Sequence, residues 1–226
     1  MSFTDIGDFS GSKMTTLAQV LLRKSEALNL FSTGDRLKLD DKHIPDSLAV
    51  LNFWRIRAGD CVLDLGTGGG LPGLALAQAT AEAEFTLMDS TAKKIEAVKE
   101  AAEELGLKNV RSAVGRFEAL AHQKNYREQF DLVTARAVAE LPTLLEYAAG
   151  FLKPGGIFYS WKSSVYKEEL QKSSKAQEIL GLLFVRAHEY VLPGGEDRAI
   201  LEFEKTGTLS KDYPRKNGVP KAKPLS

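Results

Sequence analysis

Apolar residues recur along this chain with two different periods. After a polar lead of about a dozen residues, Leu17, Val20, Leu21 and Leu28 fall at helical spacing, predicting an amphipathic helix that ends near Asn29. A polar loop follows. Asp46 or Ser47 is placed to cap a second helix carrying Leu48, Val50, Leu51 and Trp54, and Ile56 to Asp60 read as a connection. From Cys61 the period shortens: CVLDL is an apolar run stopped by GTGGGLPG, and LALAQATA then reads as a helix. Phe85 to Met88, ending at Asp89, is a second run, followed by Ile95, Val98, Ala102 and Leu105 at helical intervals up to Gly106. Val110 to Val114 and Phe130 to Thr134 give two more strands. Leu144, Leu145, Ala148 and Phe151 mark a helix, after which KPGG turns the chain into Ile157 to Trp161.

Strands alternating with helices imply parallel pairing through right-handed crossovers, hence an open, doubly wound α/β sheet that binds ligands at the carboxyl ends of its strands. The ending departs from that rhythm. FVRAHEYVL and AILEFE flank a PGGED turn with no room for a helix, which predicts an antiparallel hairpin. Three segments result: a helical appendage over 1–58, an α/β domain over 59–205, and a Pro-containing basic arm over 206–226, all within one structural unit.

Composition narrows the function classes. At 226 residues, 43% apolar and 27% charged, the chain fits one well-filled globular domain with an appendage, and excludes disorder, collagen and coiled coil as whole-chain descriptions. Thirty basic residues balance thirty acidic ones, which argues against a uniformly basic nucleic-acid binder. The balance conceals an asymmetry: Lys205 to Ser226 hold six basic residues and one acid, a surplus of five offset by an acidic body. No run approaches a membrane span and MSFTDIGDFS has no signal-peptide character, so a cytoplasmic protein is expected. The single cysteine, Cys61, suits a reducing compartment and reads as a small core residue. Three scattered histidines without ligand spacing imply no metal site.

Gly68, Gly70 and Gly73 satisfy G-x-G-x-x-G, with Asp89 lying 21 residues beyond Gly68. Glycine lets the backbone turn sharply and approach a ligand where a Cβ would collide, and a carboxylate after the second strand can accept both ribose hydroxyls. A nicotinamide cofactor and S-adenosylmethionine both meet that description. Three features favour the second. Asp64, just before the glycines, could face the positively charged amino-acid end of S-adenosylmethionine but would repel a pyrophosphate. The final hairpin matches the antiparallel strand that closes the class I methyltransferase sheet. Phe117 and Glu118, after the third strand, are placed to flank an adenine ring.

HIPDSLAVL (43–51), VLDLGTGGGLPG (62–73), TLMDSTAKK (86–94), TARAVAEL (134–141), Lys162 of SWK and PRKNGVPKAKPL (214–225) together resemble the bacterial RsmG (GidB) family of small-subunit ribosomal RNA guanine-N7 methyltransferases. The resemblance implies a class I, Rossmann-like fold, S-adenosylmethionine as cofactor and 16S rRNA, within the small ribosomal subunit, as substrate. Transferred position by position, it puts cofactor contacts on Gly66, Leu71, Phe117, Glu118 and Arg136, and makes Asp89 the ribose-binding acid. The chain departs from the family in reading NLFST where an NLT-like motif is usual, and Ser163 where glycine usually follows the lysine.

Guanine N7 exposes an in-plane lone pair, so methylation there needs no general base, and positioning should supply most of the acceleration. Arg136, after the fourth strand, could clamp an anion or stack on a base. Lys162, ending the fifth, could hold an RNA phosphate, and His43 is a weaker candidate for substrate contact. Trp54 and Trp161 are better read as core. Arg215, Lys216, Lys221 and Lys223, interleaved with prolines, suggest an extended arm that neutralises RNA phosphates. No long apolar stripe lies outside the expected core, so a monomer is the default.

Overall fold

Each short apolar run of the middle segment is a strand: β1 Cys61–Leu65, β2 Glu84–Asp89, β3 Val110–Val114, β4 Phe130–Arg136 and β5 Leu152–Ser163, joined by the hairpin β6 Leu182–Val191 and β7 Asp197–Lys205. The computed structural model describes residues 12–28, 30–54 and 56–226; the polar lead and Asn29, where the first helix was expected to end, lie outside them. The strands form one seven-stranded sheet in the order β3-β2-β1-β4-β5-β7-β6. Every pair through β5 is parallel, whereas β7 runs antiparallel between β5 and β6. This is the mostly parallel, doubly wound sheet with a terminal antiparallel hairpin that the sequence leads one to expect.

Alternation along β1 builds two cores, because successive side chains of a strand point to opposite faces. Val62 joins one apolar cluster and Leu63 and Leu65 the other. The first cluster lies under α1 (Ser12–Leu28), α3 (Ile44–Leu48), α4 (Gly73–Ala79) and α5 (Ala92–Glu104). The second is covered by α7 (Leu141–Ala149) and α9 (Ser174–Leu180), and by Leu209 and Leu225 of the last segment. The amino-terminal helices are therefore packed into the main core: Leu17, Val20 and Leu21 are buried with Leu74, Leu76 and Val98. At the rim of the same contact, Arg23 pairs with Glu104 and Lys24 with Glu100 of α5. Leu28, expected on the apolar face, is exposed at the helix end.

Several expectations change. The second helix begins earlier than Asp46: α2 (Thr33–Arg36) leads through a π turn, Leu39–His43, into α3 and then a 3-10 turn, Ala49–Asn52. Asp46 and Ser47 are not caps but fully buried helical residues. KPGG is no turn before β5 but an irregularity within it, where the β4 pairing jumps from Phe130–Leu152 to Leu132–Ile157 and Gly155 adopts φ +80°. Two short helices, α8 (Tyr166–Lys172) and α9, fill the segment between β5 and β6.

The basic ending differs most from its sequence reading. Lys205 belongs to β7 and is fully buried, with Nζ donating to Glu128 Oε1 at 2.7 Å and to the carbonyls of Ala149 at 2.8 Å and Leu152 at 2.7 Å. All three ammonium donors are thus satisfied. Beyond it the chain is no free arm but a strap across the α7 face, ending in the single turn α10 (Val219–Ala222). Arg127 holds it through the carbonyls of Leu209, Ser210 and Tyr213. Pro214, Pro220 and Leu225 are buried in it.

Candidate active site

The sheet's parallel half ends in a cavity of about 490 Å³, within the ~300–1,000 Å³ of ordinary small-molecule sites. Its floor is the loop after β1. Gly66 has φ +76° and a Cβ there would come within 2.6 Å of Val138, so this position is closed to other residues both conformationally and sterically. Gly68, at φ +55°, donates its N–H to Asp89 Oδ2 at 3.1 Å. The other oxygen of Asp89 accepts from Thr91 N–H at 2.9 Å. Two backbone donors therefore fix the carboxylate at the end of β2, where it lines the cavity.

The opposite walls come from β4, from α6 (Phe117–Leu120) and from the amino-terminal helices. Phe117 and Leu71 present apolar surface. Arg136 ends β4 and lines the cavity, its Nη1 donating to the His43 carbonyl at 3.0 Å and Asp46 Oδ2 at 2.9 Å. His43 also lines it, with Nε2 3.2 Å from Asp35 Oδ1. Burial, and then the charge of Arg136, hold the His43 imidazole below its ordinary pKa, so the neutral ring is favoured.

Gly66, Gly68, Leu71, Asp89, Phe117, Arg136 and His43 thus converge on one cavity. Three other candidates do not line it. Asp64 lies beneath the loop, 1% exposed, with Oδ2 accepting Gly73 N–H at 3.0 Å and Oδ1 accepting the Thr134 hydroxyl at 3.0 Å. Burial pushes its carboxyl above the ordinary range, against the opposing pull of those hydrogen bonds. It fastens the first turn of α4 to β4, so its charge is not available to discriminate between cofactors from within the cavity. Glu118, 2% exposed, accepts Gly218 N–H of the strap at 2.8 Å. Lys162 is bound to Glu169 Oε2 at 2.6 Å and to the Ala139 carbonyl at 3.3 Å. Trp161 is buried, and its indole N–H donates to the Asp46 carbonyl at 2.7 Å.

Sequence reasoning missed Phe31 and Arg198. Phe31 lies so close over the loop that a Cβ on Gly69 would come within 2.5 Å of its ring. Arg198, from the start of β7, reaches the same cavity from the far side of the sheet. The only sequence sign of Phe31 is an aromatic residue in a polar loop, and Arg198 has none. Among the described residues no group of three His, Cys, Asp or Glu could hold a metal ion, and no helix is long and apolar enough to cross a membrane.

The strap residues part into two kinds. Arg215 is committed: its backbone N–H, Nε and Nη2 all donate to the fully buried Glu146, at 2.6 to 3.1 Å. Lys216, Lys221 and Lys223 are exposed.

A family model described as rRNA small subunit methyltransferase G (GidB) matches residues 10–193. The chain is 41% identical over 208 residues to the ribosomal RNA small subunit methyltransferase G of Deinococcus deserti, covering 91% of this chain and 85% of that protein. It is 36% identical over 221 residues to the protein of the same name from Alkaliphilus metalliredigens, covering 97% and 92%. Among solved structures it is similar to a SAM dependent methyltransferase from Aquifex aeolicus, at TM-score 0.58 and 18% identity over 78% of this chain and 100% of that one. It is likewise similar to M. jannaschii TYW2 in complex with AdoMet, at TM-score 0.57 and 15% identity over 80% of each chain. At these identities the structural likeness concerns the fold.

Proposed function

The chain belongs to the rRNA small subunit methyltransferase G (GidB) family, and from that premise and the cavity we propose that it methylates N7 of a guanine in 16S ribosomal RNA, with S-adenosylmethionine as donor. The observation that carries the reading is the convergence of Gly66, Gly68, Asp89 and Phe117 on one cavity at the carboxyl ends of the strands. These residues fit the cofactor: Gly66 and Gly68, at φ +76° and +55°, shape the cavity floor, the carboxylate suits a ribose diol, and Phe117 offers a face to an aromatic ring.

Bound there, S-adenosylmethionine supplies a sulfonium methyl that guanine N7 accepts through its in-plane lone pair, with no proton to remove. The residues present agree with that chemistry. Burial lowers the His43 pKa, its ring is engaged with Asp35, and it is assigned no proton transfer. The protein's contribution is to hold the reacting groups in line, an effect worth roughly 7–11 kcal/mol when the geometry is near-attack. Gly66 and Gly68 would form the floor beneath the donor, and Asp89, with both oxygens held by backbone N–H groups, would take its ribose hydroxyls. Arg136 lines the same cavity, held by Asp46 and the His43 carbonyl.

The case against a nicotinamide cofactor no longer rests on Asp64, which is used beneath the loop. It rests on the family and on β7 lying antiparallel within the sheet. For the exposed Lys216, Lys221 and Lys223 the reading is phosphate contact; Arg215 is a weaker candidate, because its Nε and Nη2 already donate to Glu146. Calorimetry with the intact chain tests the cofactor: S-adenosylhomocysteine should bind at one site per chain, and NADH should not. Binding of NADH with no binding of S-adenosylhomocysteine contradicts the reading.

A further inference from the structure

Asp46 sits where five elements meet, yet it does not line the cavity. Its side chain is 1% exposed. Oδ2 accepts from Arg136 Nη1 at 2.9 Å, and Oδ1 accepts the Tyr190 hydroxyl of β6 at 2.5 Å. Arg198 Nε of β7 lies 3.6 Å from the same Oδ1, close enough for an ion pair but too far for a hydrogen bond, and among the described residues this buried nitrogen has no hydrogen-bond partner. The Asp46 backbone carbonyl takes the Trp161 indole N–H of β5. Two guanidiniums from strands on opposite sides of β5 are thus drawn to one carboxylate, and both line the cavity.

A purely structural ion pair would satisfy both partners. Here one carboxylate faces two arginines, and only Nη1 of Arg136 is used. Glu196 offers Arg198 a second partner at 3.5 Å, but it also holds Lys42 at 2.5 Å. Burying a carboxylate is costly unless cations accompany it, and a buried ion pair often adds no net stability over apolar packing of the same volume. We propose that Asp46 is a positioning residue: it holds Arg136 and Arg198 as a paired clamp whose remaining N–H donors meet an anion entering the cavity. Guanidinium forks recognise carboxylate and phosphate alike, so the anion is either the α-carboxylate of the cofactor or a phosphate of the RNA.

The inference rests on the methyltransferase reading, and Asp46→Asn tests it. The substitution keeps the side-chain shape and removes the charge that gathers the two arginines. Three quantities are compared in the intact chain: the Kd for S-adenosylhomocysteine, and the KM and kcat with small ribosomal subunits. A displaced clamp should raise either Kd or KM by on the order of 10- to 100-fold. A rise in Kd identifies the cofactor carboxylate as the anion, and a rise in KM alone identifies the RNA phosphate. Partial misfolding would only lower the active fraction, reducing apparent kcat while leaving Kd and KM in place. Unchanged Kd and KM therefore overturn the proposal whatever happens to kcat. Tyr190→Phe is the control, since it removes one hydrogen bond to Asp46 and leaves the carboxylate and both arginines. Its Kd and KM should stay within about twofold of wild type, and changes as large as those of Asp46→Asn would show a general packing role instead. A wild-type chain that neither binds S-adenosylhomocysteine nor methylates the subunit defeats the underlying reading. The clamp is then judged by fluorescence anisotropy of a 16S rRNA fragment, where equal affinity of wild type and Asp46→Asn overturns it.

Discussion

Asp46 and Glu146 are both buried carboxylates held by arginine, one under the cavity rim and the other under the carboxyl-terminal strap. Glu146 is saturated. Both its oxygens accept from Arg215, the Arg215 backbone N–H adds a further bond, and Nη2 also donates to the Lys223 carbonyl, closing the strap on itself. Asp46 is shared among Arg136, Arg198 and Tyr190, and leaves guanidinium donors over at the cavity. The same charge pair serves two ends: where one guanidinium takes both oxygens of one carboxylate it fastens one segment to another, and where two guanidiniums share one carboxylate beside a cavity it presents them to a ligand.

Removing the saturated pair should have the largest effect on stability. Glu146→Ala leaves Arg215 without its partner and the strap without its anchor, so a loss of about 3–5 kcal/mol in denaturant unfolding is expected. A change below about 1 kcal/mol would mean that the strap is held by Pro214, Pro220 and Leu225 instead. Next comes Glu118→Gln, which weakens the charged acceptor for Gly218 N–H beside the cavity residue Phe117. A loss of about 1 kcal/mol is expected, the difference between a charged and a neutral acceptor. A coupled fall in S-adenosylhomocysteine affinity would show that strap and cavity are less separate than the two carboxylates suggest.

The rim should also respond to pH through His43. Its pKa is lowered in the folded chain, chiefly by burial, so between the unfolded value and that lower value the unfolded chain binds more protons. Stability from this residue therefore falls as pH drops below about 6.5. Urea unfolding of wild type and His43→Gln should show the wild type losing more stability between neutral and mildly acid pH, and parallel curves would refute this. The smallest effect on folding is expected from Lys216, Lys221 and Lys223 changed together to alanine, within about 0.5 kcal/mol of wild type. Their effect should appear instead in RNA binding, where each lost phosphate contact flattens the salt dependence by about 0.9, taking duplex DNA as the guide. An unchanged slope would leave the strap as a purely structural device.

The readable parts of this chain are those whose cause is local. A five-residue apolar run, a glycine loop and an acid after the next strand announce β1, the cavity floor and Asp89, because strand, tight turn and ribose acceptor are decided within a few residues. The PGGED turn likewise announces the hairpin. Asp46 was misread as a helix cap because its partners, Arg136 and Tyr190, stand 90 and 144 residues away. An acid between Ile44 and Leu48, both buried, was the available sign that it faces inward. Alternating prolines and lysines made the strap look like a free arm, since its anchors Glu146 and Glu118 lie 69 and 100 residues earlier. Lys205, counted with that arm by composition, proved to be a buried strand residue because Glu128 and two carbonyls happen to meet it. In each case long-range pairing decided what local pattern could not.

The most direct measurement takes small ribosomal subunits from cells lacking the gene, incubates them with the purified protein and isotopically labelled S-adenosylmethionine, and analyses the digested 16S rRNA by mass spectrometry. One labelled methyl per subunit, recovered as 7-methylguanosine, is the expected result. Labelled methyl on any other nucleoside, or none transferred, would contradict it.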